Sequence, residues 1–353
     1  MYSQPLTHTN TISQLRKQKD AFLRMRSIRD LARLVGAAEH KLQLMALHPP
    51  YHVFSIPKRD GSLRWIEDPH PPLKFVQRHL NHYFQSVYYY LRSPAAYGFL
   101  VVPRRDPSPR TILTNAERHL GHSYLFNADF EDFFHQVSYA KLYRIFTQPP
   151  FAFEAELAEV LASLVCHQER LPMGAPTSPV LSNFATLELD QALLTFSEWA
   201  GCTYSRFADD LSFSSSKQIN QRARNKIIAL ADQYGFAFNP DKFKDYAPSD
   251  TKIVTGLQLE DGYVTVPDGF ILRLKRELTK LKHVWEVQYR AGQDAPWVEK
   301  YRQQVEGKVN FVRYVLGDSH PDSEEMTERL EEALSLPDEF EPISWLEFNY
   351  VNW

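Results

Sequence analysis

Two adjacent carboxylates, Asp209 and Asp210, lie inside the apolar run Arg206-Phe207-Ala208-Asp209-Asp210-Leu211-Ser212-Phe213. Burying such a pair within a sheet is costly, so the pattern points to an exposed turn between two hydrophobic strands, with a cation holding the charges. Asp129 stands in a similar context, ending the strand-like run Phe126-Asn127-Ala128-Asp129 before Phe133 and Phe134. Acids brought together from separate strands are what a pair of magnesium ions needs in phosphoryl transfer. One ion activates the attacking hydroxyl and the other stabilises the leaving pyrophosphate. An Asp-Asp pair equally suits a solvated turn, and the pair alone does not choose between the two.

Other residues fit the same chemistry. Lys58 and Arg64 fall on facing arms of a short hairpin around Arg59-Asp60-Gly61, where they could donate charge-assisted hydrogen bonds to triphosphate oxygens or stand as solvated surface bases. In Leu171-Pro172-Met173-Gly174-Ala175-Pro176-Thr177-Ser178-Pro179, Gly174 lets the backbone come close to a base pair, and Pro176 and Pro179 stiffen the approach to a helix. Bases alternate with aromatics from Arg273, Lys275 and Arg276 through Lys280 and Lys282, then across Lys300-Tyr301-Arg302 and residues 308–313, a mixture suited to phosphate contact and base stacking.

The elements that would position these groups read as α+β. Helical spacing of apolar residues covers 11–47, 73–91, 151–165, 179–199 and 219–234, and the chain is helical again from 272 to 316. Strand-like segments lie at 52–56, 63–66, 124–130 and 203–214. With 353 residues, 43% of them hydrophobic, the chain can bury a large core. No apolar run is long enough to span a bilayer and none follows the N-terminal bases, so a cytoplasmic protein without a membrane partner is expected. Cys166 and Cys202 are too few for a zinc cluster and are expected as reduced thiols. Residues 317–353 carry eleven acids against one base, Arg329, so a chain total of -3 leaves +7 for the first 316 residues. That balance suits a polyanionic partner if it is focused in a groove.

Taken in order, these segments resemble the reverse transcriptases, over about residues 50 to 315. Phe207-Ala208-Asp209-Asp210 is similar to the family's Tyr-x-Asp-Asp box, with Phe in first place, and Asp129 with Phe133-Phe134 to the preceding acidic motif. Residues 171–179 resemble the loop that contacts template and incoming nucleotide. Ile56-Pro57-Lys58 with Gly61 and Arg64 resembles the fingers hairpin, and Asn239-Pro240-Asp241-Lys242 and Val254-Thr255-Gly256-Leu257 resemble the later palm segments. The resemblance implies a right-hand polymerase with an antiparallel palm sheet and a helical thumb. Asp129, Asp209 and Asp210 would be its catalytic and metal-binding residues, for two Mg2+ ions. It further implies that Lys242 donates a proton to the pyrophosphate, and that Lys58, Arg64, Phe134, Met173 and Gly174 bind the deoxynucleoside triphosphate. Phe134 would exclude a 2'-hydroxyl. Met173 departs from the Gln usual in the family and cannot donate an amide hydrogen bond.

Asn115-Ala116-Glu117-Arg118-His119 and Val254-Thr255-Gly256 resemble signatures of the retron subgroup, bacterial enzymes that copy part of their own structured noncoding RNA. Ser93-Pro94-Ala95-Ala96 with Gly98-Phe99 adds to this, with Tyr97 where His is usual. Membership implies a cognate noncoding RNA and an RNA-DNA hybrid as partners, priming from an RNA 2'-hydroxyl, and antiphage defence alongside an effector protein. Asn115, His119, Val254, Thr255, Gly256, Arg273, Lys275 and Arg276 are the residues expected to contact RNA. The expected organisation is an N-terminal helical extension (1–48), fingers (49–122), palm (123–264, with a helical insertion at about 138–170), thumb (265–317) and an acidic, aromatic tail (318–353) that docks on the body or on a partner. The competing readings are a reverse transcriptase of another bacterial defence or mobile-element lineage, and an RNA-binding scaffold that no longer turns over. Intact Asp129, Asp209 and Asp210 argue against the scaffold.

Overall fold

A computed structural model describes residues 11–58, 61–291 and 295–335 and divides the chain into two compact units, 1–250 and 251–353. The amphipathic run expected as one helix over 11–47 forms three: α1 (Ile12–Leu23), α2 (Ile28–Val35) and α3 (Glu39–Leu47). Capping chemistry breaks it. Thr11 opens α1 in a capping box with Gln14, Ser27 accepts the Asp30 N–H to start α2, and Gly36 ends α2 at φ 68°. The strands β1 (Tyr51–Pro57) and β2 (Leu63–Pro69) pair antiparallel, with Ile56 opposite Arg64. Gly61 turns at φ 83°, whereas Arg59 and Asp60 of the expected turn lie outside the described residues.

Two prolines, tolerated where N–H groups have no helical partner, open α4 (Pro71–Tyr89), whose Leu80, Phe84 and Tyr88 enter the core beside Phe22. Thr111 caps α5 (Ile112–Glu117), which leads to β3 (Tyr124–Asp129). A 3-10 turn at Phe133–Gln136 precedes α6 (Tyr139–Thr147) and α7 (Ala155–Val165). The helix expected over 179–199 is divided at Thr186 into α8 (Ser178–Ala185) and α9 (Leu187–Ala200). Then follow β4 (Thr203–Phe207), β5 (Asp210–Ser215), α10 (Gln221–Gln233) and β6 (Lys244–Tyr246). The resulting sheet has the order β4-β5-β3-β6 with every pair antiparallel. Phe126, Phe213 and Tyr204 project from it into a core shared with the helices.

The second unit pairs three short strands, β7 (Lys252–Val254), β8 (Leu257–Leu259) and β9 (Val264–Thr265), and continues into α11 (Asp268–Ala291), α12 (Pro296–Leu316) and α13 (Pro321–Leu334). Strands expected to complete the palm, up to residue 264, thus group with the helices that follow them. The expected end of the helical region at 317 is also corrected. Ser323, Met326 and Ala333 bury one face of α13 against α11 and α12. Its acids meet bases on α11, Glu325 with Lys275 at 2.8 Å and Glu332 with Lys282 at 2.6 Å. Acidic composition concealed an amphipathic helix whose charges complement its neighbour. The remaining aromatic tail residues, Phe340, Trp345, Phe348, Tyr350 and Trp353, lie outside the described residues. Cys166 and Cys202 are free thiols, and no described helix is long and apolar enough to cross a membrane.

Candidate active site

Strand register assembles the acids. Asp129, last in β3, lies directly opposite Asp210, first in β5, and Asp209 occupies the β4–β5 turn after Ala208, which adopts φ 60°. The Phe130 N–H donates to the Asp209 carbonyl at 3.1 Å, tying the two acid-bearing segments together. Lys242, from the 3-10 turn Pro240–Lys242, sets its ammonium on Asp129, and the Asn239 N–H donates to the Asp129 carbonyl at 2.9 Å. Burial and the Asp129 charge raise the pKa of Asp209. Burial, the Asp209 charge and a hydrogen bond with Asp129 push Asp210 up to about 8. Burial works against the Lys242 charge, but the hydrogen bond and charge of Asp129 outweigh it, and its pKa is raised. The acids repel one another, a strain that protons, Lys242 or a hard cation relieve. Among the described residues no three Asp, Glu, His or Cys side chains form a ready coordination group; in this structure Lys242 occupies Asp129.

The turn carrying these acids is held from behind by Arg206, Asp190 and Asn183, to which sequence reasoning gave no role, and by the segment 95–98, which it read only as a subgroup signature. Arg206 is fully buried, paired with Asp190 of α9 at 2.7 Å, and donates to the Asn183 side chain and the Ala208 carbonyl, both at 3.0 Å. Residues 95–97 run along β4, through Arg206 N–H to the Ala95 carbonyl and Tyr97 N–H to the Arg206 carbonyl, each 2.8 Å. A Cβ on Gly98 would stand 2.3 Å from the Ala208 nitrogen, so only glycine fits against the turn. An arginine within a strand that leads into the acidic box was the available signal, since a buried guanidinium demands a carboxylate.

Lys58 and Arg64 are exposed on the hairpin, and the Arg64 charge is near enough to favour the ionised form of Asp209. Phe133 is buried against Phe130, their stacked rings 5.1 Å apart, while Phe134 remains half-buried with its centroid 5.8 Å from that of Phe99. One of the two rings is thus core and the other borders solvent. The Met173 carbonyl accepts from the Glu67 N–H at 2.7 Å and its N–H donates to the Glu67 carboxylate at 3.0 Å. Gly174, at φ 130°, lies against the same strand, where a Cβ would meet the Glu67 carbonyl at 3.0 Å.

The expected RNA contacts divide. Asn115 and His119 are each 1% exposed and do not face solvent, which corrects their assignment. Asn115 sits inside α5, which Thr111 caps, and the ring nitrogens of His119 meet Ser214 Oγ and Ser205 Oγ at 2.7 Å each. This segment buttresses β4 and β5. Val254 is also fully buried, whereas Thr255 and Gly256 form the β7–β8 turn at φ 49° and 85°, with Gly256 exposed. Arg273 and Arg276 are exposed on α11, and Lys275 is engaged by Glu325.

An antiparallel sheet that gathers three acids beside a lysine, flanked by a basic hairpin and a glycine-bearing loop, is the architecture of a template-directed polymerase. Residues 56–259 match the family described as reverse transcriptase (RNA-dependent DNA polymerase), and the chain belongs to that family. Its curated relatives include retron members. It is 30% identical over 316 residues to the retron Mx65 reverse transcriptase of Myxococcus xanthus, covering 82% of this chain and 68% of that one. To the retron Ec86 reverse transcriptase of Escherichia coli it is 27% identical over 306 residues, covering 84% and 87%. It spans 55% of the retron Mx162 reverse transcriptase of Myxococcus xanthus at 30% identity. Among solved structures, telomerase from Candida albicans, in complex with a fragment of telomeric RNA, aligns with a TM-score of 0.47 and 9% identity over 81% of this chain and 63% of that one. The chain is thus a retron-type, RNA-directed DNA polymerase of the reverse transcriptase family, with a mixed helix and antiparallel-sheet fold.

Proposed function

We propose that the protein copies part of its own structured noncoding RNA into DNA, primed from a 2'-hydroxyl of that RNA, as the polymerase of an antiphage retron acting with an effector protein in the cytoplasm. Its similarity to retron reverse transcriptases supports the setting. The observation that carries the chemistry is the register pairing of Asp129 with Asp210, with Asp209 at the adjoining turn. Three carboxylates gathered from neighbouring strand ends, with burial and neighbouring negative charge raising the affinity of Asp209 and Asp210 for positive charge, fit hard dications as ligands. Two magnesium ions, when bound, would activate the attacking hydroxyl and neutralise the pyrophosphate.

The chain's own residues supply the rest. Lys242, kept protonated by Asp129, would donate a proton to the leaving pyrophosphate. Lys58 and Arg64 would hold the triphosphate, Met173 and Gly174 would line the nascent pair, and Phe134 would close the space beneath the sugar. The Thr255–Gly256 turn, with Gly256 exposed, together with Arg273 and Arg276 would contact the RNA or the RNA-DNA hybrid. In this reading 49–122 are fingers, 123–250 palm, and the helices from 268 onward thumb. Incubating the purified protein with its cognate RNA, deoxynucleoside triphosphates and magnesium should yield a product in which DNA is joined to RNA at a branch resistant to ribonuclease. Linear DNA alone would remove the self-priming step and leave the polymerase standing.

A further inference from the structure

Glu67 is 4% exposed, yet it lies on the strand of the basic hairpin that begins with the exposed Leu63, Arg64 and Trp65. One carboxylate oxygen receives three donors: Arg170 Nη1 at 3.0 Å, the Met173 N–H at 3.0 Å and His135 Nε2 at 3.1 Å. His167 stands 4.0 Å from its other oxygen. The Glu67 backbone completes the junction, its N–H donating to the Met173 carbonyl and its own carbonyl abutting Gly174. Three segments meet here. They are the hairpin bearing Lys58 and Arg64, the loop bearing Met173 and Gly174, and the 3-10 turn in which His135 immediately follows Phe134.

We propose that Glu67 is a positioning residue that sets the geometry of the nucleotide pocket. It holds the Met173–Gly174 loop and the Phe134 turn at a fixed separation, and thereby governs affinity for the deoxynucleotide and rejection of the ribonucleotide. Core packing alone has no need of a buried carboxylate here. A buried charge is costly unless fully paired, and this one is spent on joining the three segments proposed to touch the triphosphate, the base pair and the sugar. The Phe134 ring packs at the edge of the core beside Phe99 and Phe133, and the His135–Glu67–Met173 connection ties its turn to the loop.

The test is single-nucleotide incorporation on an annealed primer and template by the full chain, with Glu67→Gln, which keeps shape but removes the charge on which the three donors converge. KM for the deoxynucleotide should rise about tenfold and discrimination against the ribonucleotide should fall about tenfold, while kcat stays within about twofold, because misplacement of a bound substrate acts on its binding geometry. His135→Ala cuts only the arm to Phe134. It should weaken discrimination with a smaller change in deoxynucleotide KM, and it serves where Glu67→Gln fails to fold. A folded variant of either kind with wild-type discrimination, or one that loses kcat equally for both nucleotides at unchanged KM, overturns the proposal. The inference rests on Phe134 as a sugar contact, and Phe134→Ala on the same substrates tests that separately: unchanged discrimination there refutes the sugar contact whatever Glu67→Gln does.

Discussion

Arg206 grips Asp190 through two hydrogen bonds, Nη2 to Oδ2 at 2.7 Å and Nε to Oδ1 at 2.9 Å, and neither side chain is exposed to solvent. Tyr204 adds its hydroxyl to the same carboxylate at 2.8 Å. The pair links α9 to the strand that ends in the acidic turn, so the position of Asp209 depends on it. Asp190→Ala strands a buried guanidinium and should cost about 3–5 kcal/mol in urea denaturation. DNA synthesis should fall with it. Full activity in a variant shown to have lost that stability would separate the pair from the turn.

Asp209→Asn should abolish magnesium-dependent synthesis, since a neutral amide is a poor ligand for a hard dication. Burial and Asp129 both disfavour the ionised Asp209, so removing its charge should leave the melting temperature unchanged or raise it. A variant that still extends primers at the wild-type rate refutes the assignment of the site.

Phe134→Ala removes the half-buried ring that leans on Phe99, leaving Phe133 in the core. Ribonucleotides should then compete in mixed-nucleotide extension, read as alkali-sensitive sites in the product. Because the ring is only half-buried, the stability loss should stay below the roughly 3–5 kcal/mol of a fully buried Phe→Ala change.

His119 gives a pH dependence of known sign. Burial lowers its pKa from 6.5 to about 3, with the charges of Arg118 and His122 acting the same way, so the folded protein keeps it neutral while the unfolded chain protonates it below about 6.5. The stability it contributes is full above that pH and is lost progressively as pH falls towards 3, about 2 kcal/mol of it by pH 5. Denaturation at pH 7 and pH 5 should show a smaller difference for His119→Gln than for wild type. Equal differences would mean that the imidazole is not held neutral.

Truncation after Gly317 removes α13 and uncovers the faces of α11 and α12 that Met326 and Ala333 cover, so it should lower the thermal stability of the second unit. Truncation after Ser335 keeps the helix. It should preserve stability and primer extension, and weaken only a complex that depends on Phe340, Trp345, Phe348, Tyr350 or Trp353. Comparison by calorimetry and by extension assays distinguishes the two.

The acids were legible in sequence because an apolar run on both sides of an Asp pair points to a strand-turn-strand, and register then brings Asp129 opposite Asp210. Helices capped by Ser27 and Gly36 were merged in the reading because apolar spacing continues across both breaks. Asn115 and His119 misled for a different reason: a polar side chain in a family signature reads as a contact surface, whereas here His119 bridges two serines behind the sheet. Glu67 and Arg206 went unread because their partners, Met173 and Arg170 in one case and Asp190 in the other, are distant in sequence, and only folding brings the charges together.

The pairing of Lys275 and Lys282 with Glu325 and Glu332 means that α11 carries its own condensed counterions. A phosphate backbone arriving at that face must either displace a tethered carboxylate or bind other exposed bases of α11, Arg273, Arg276 and Lys280 among them. Fewer mobile ions are then released than the count of bases implies, and the logarithm of affinity should fall less steeply with salt for the native chain than for Glu325→Gln/Glu332→Gln. In that reading the acidic helix would be a tethered competitor, holding back nonspecific adhesion to polyanions while leaving the bases it does not engage to a ligand of the right shape.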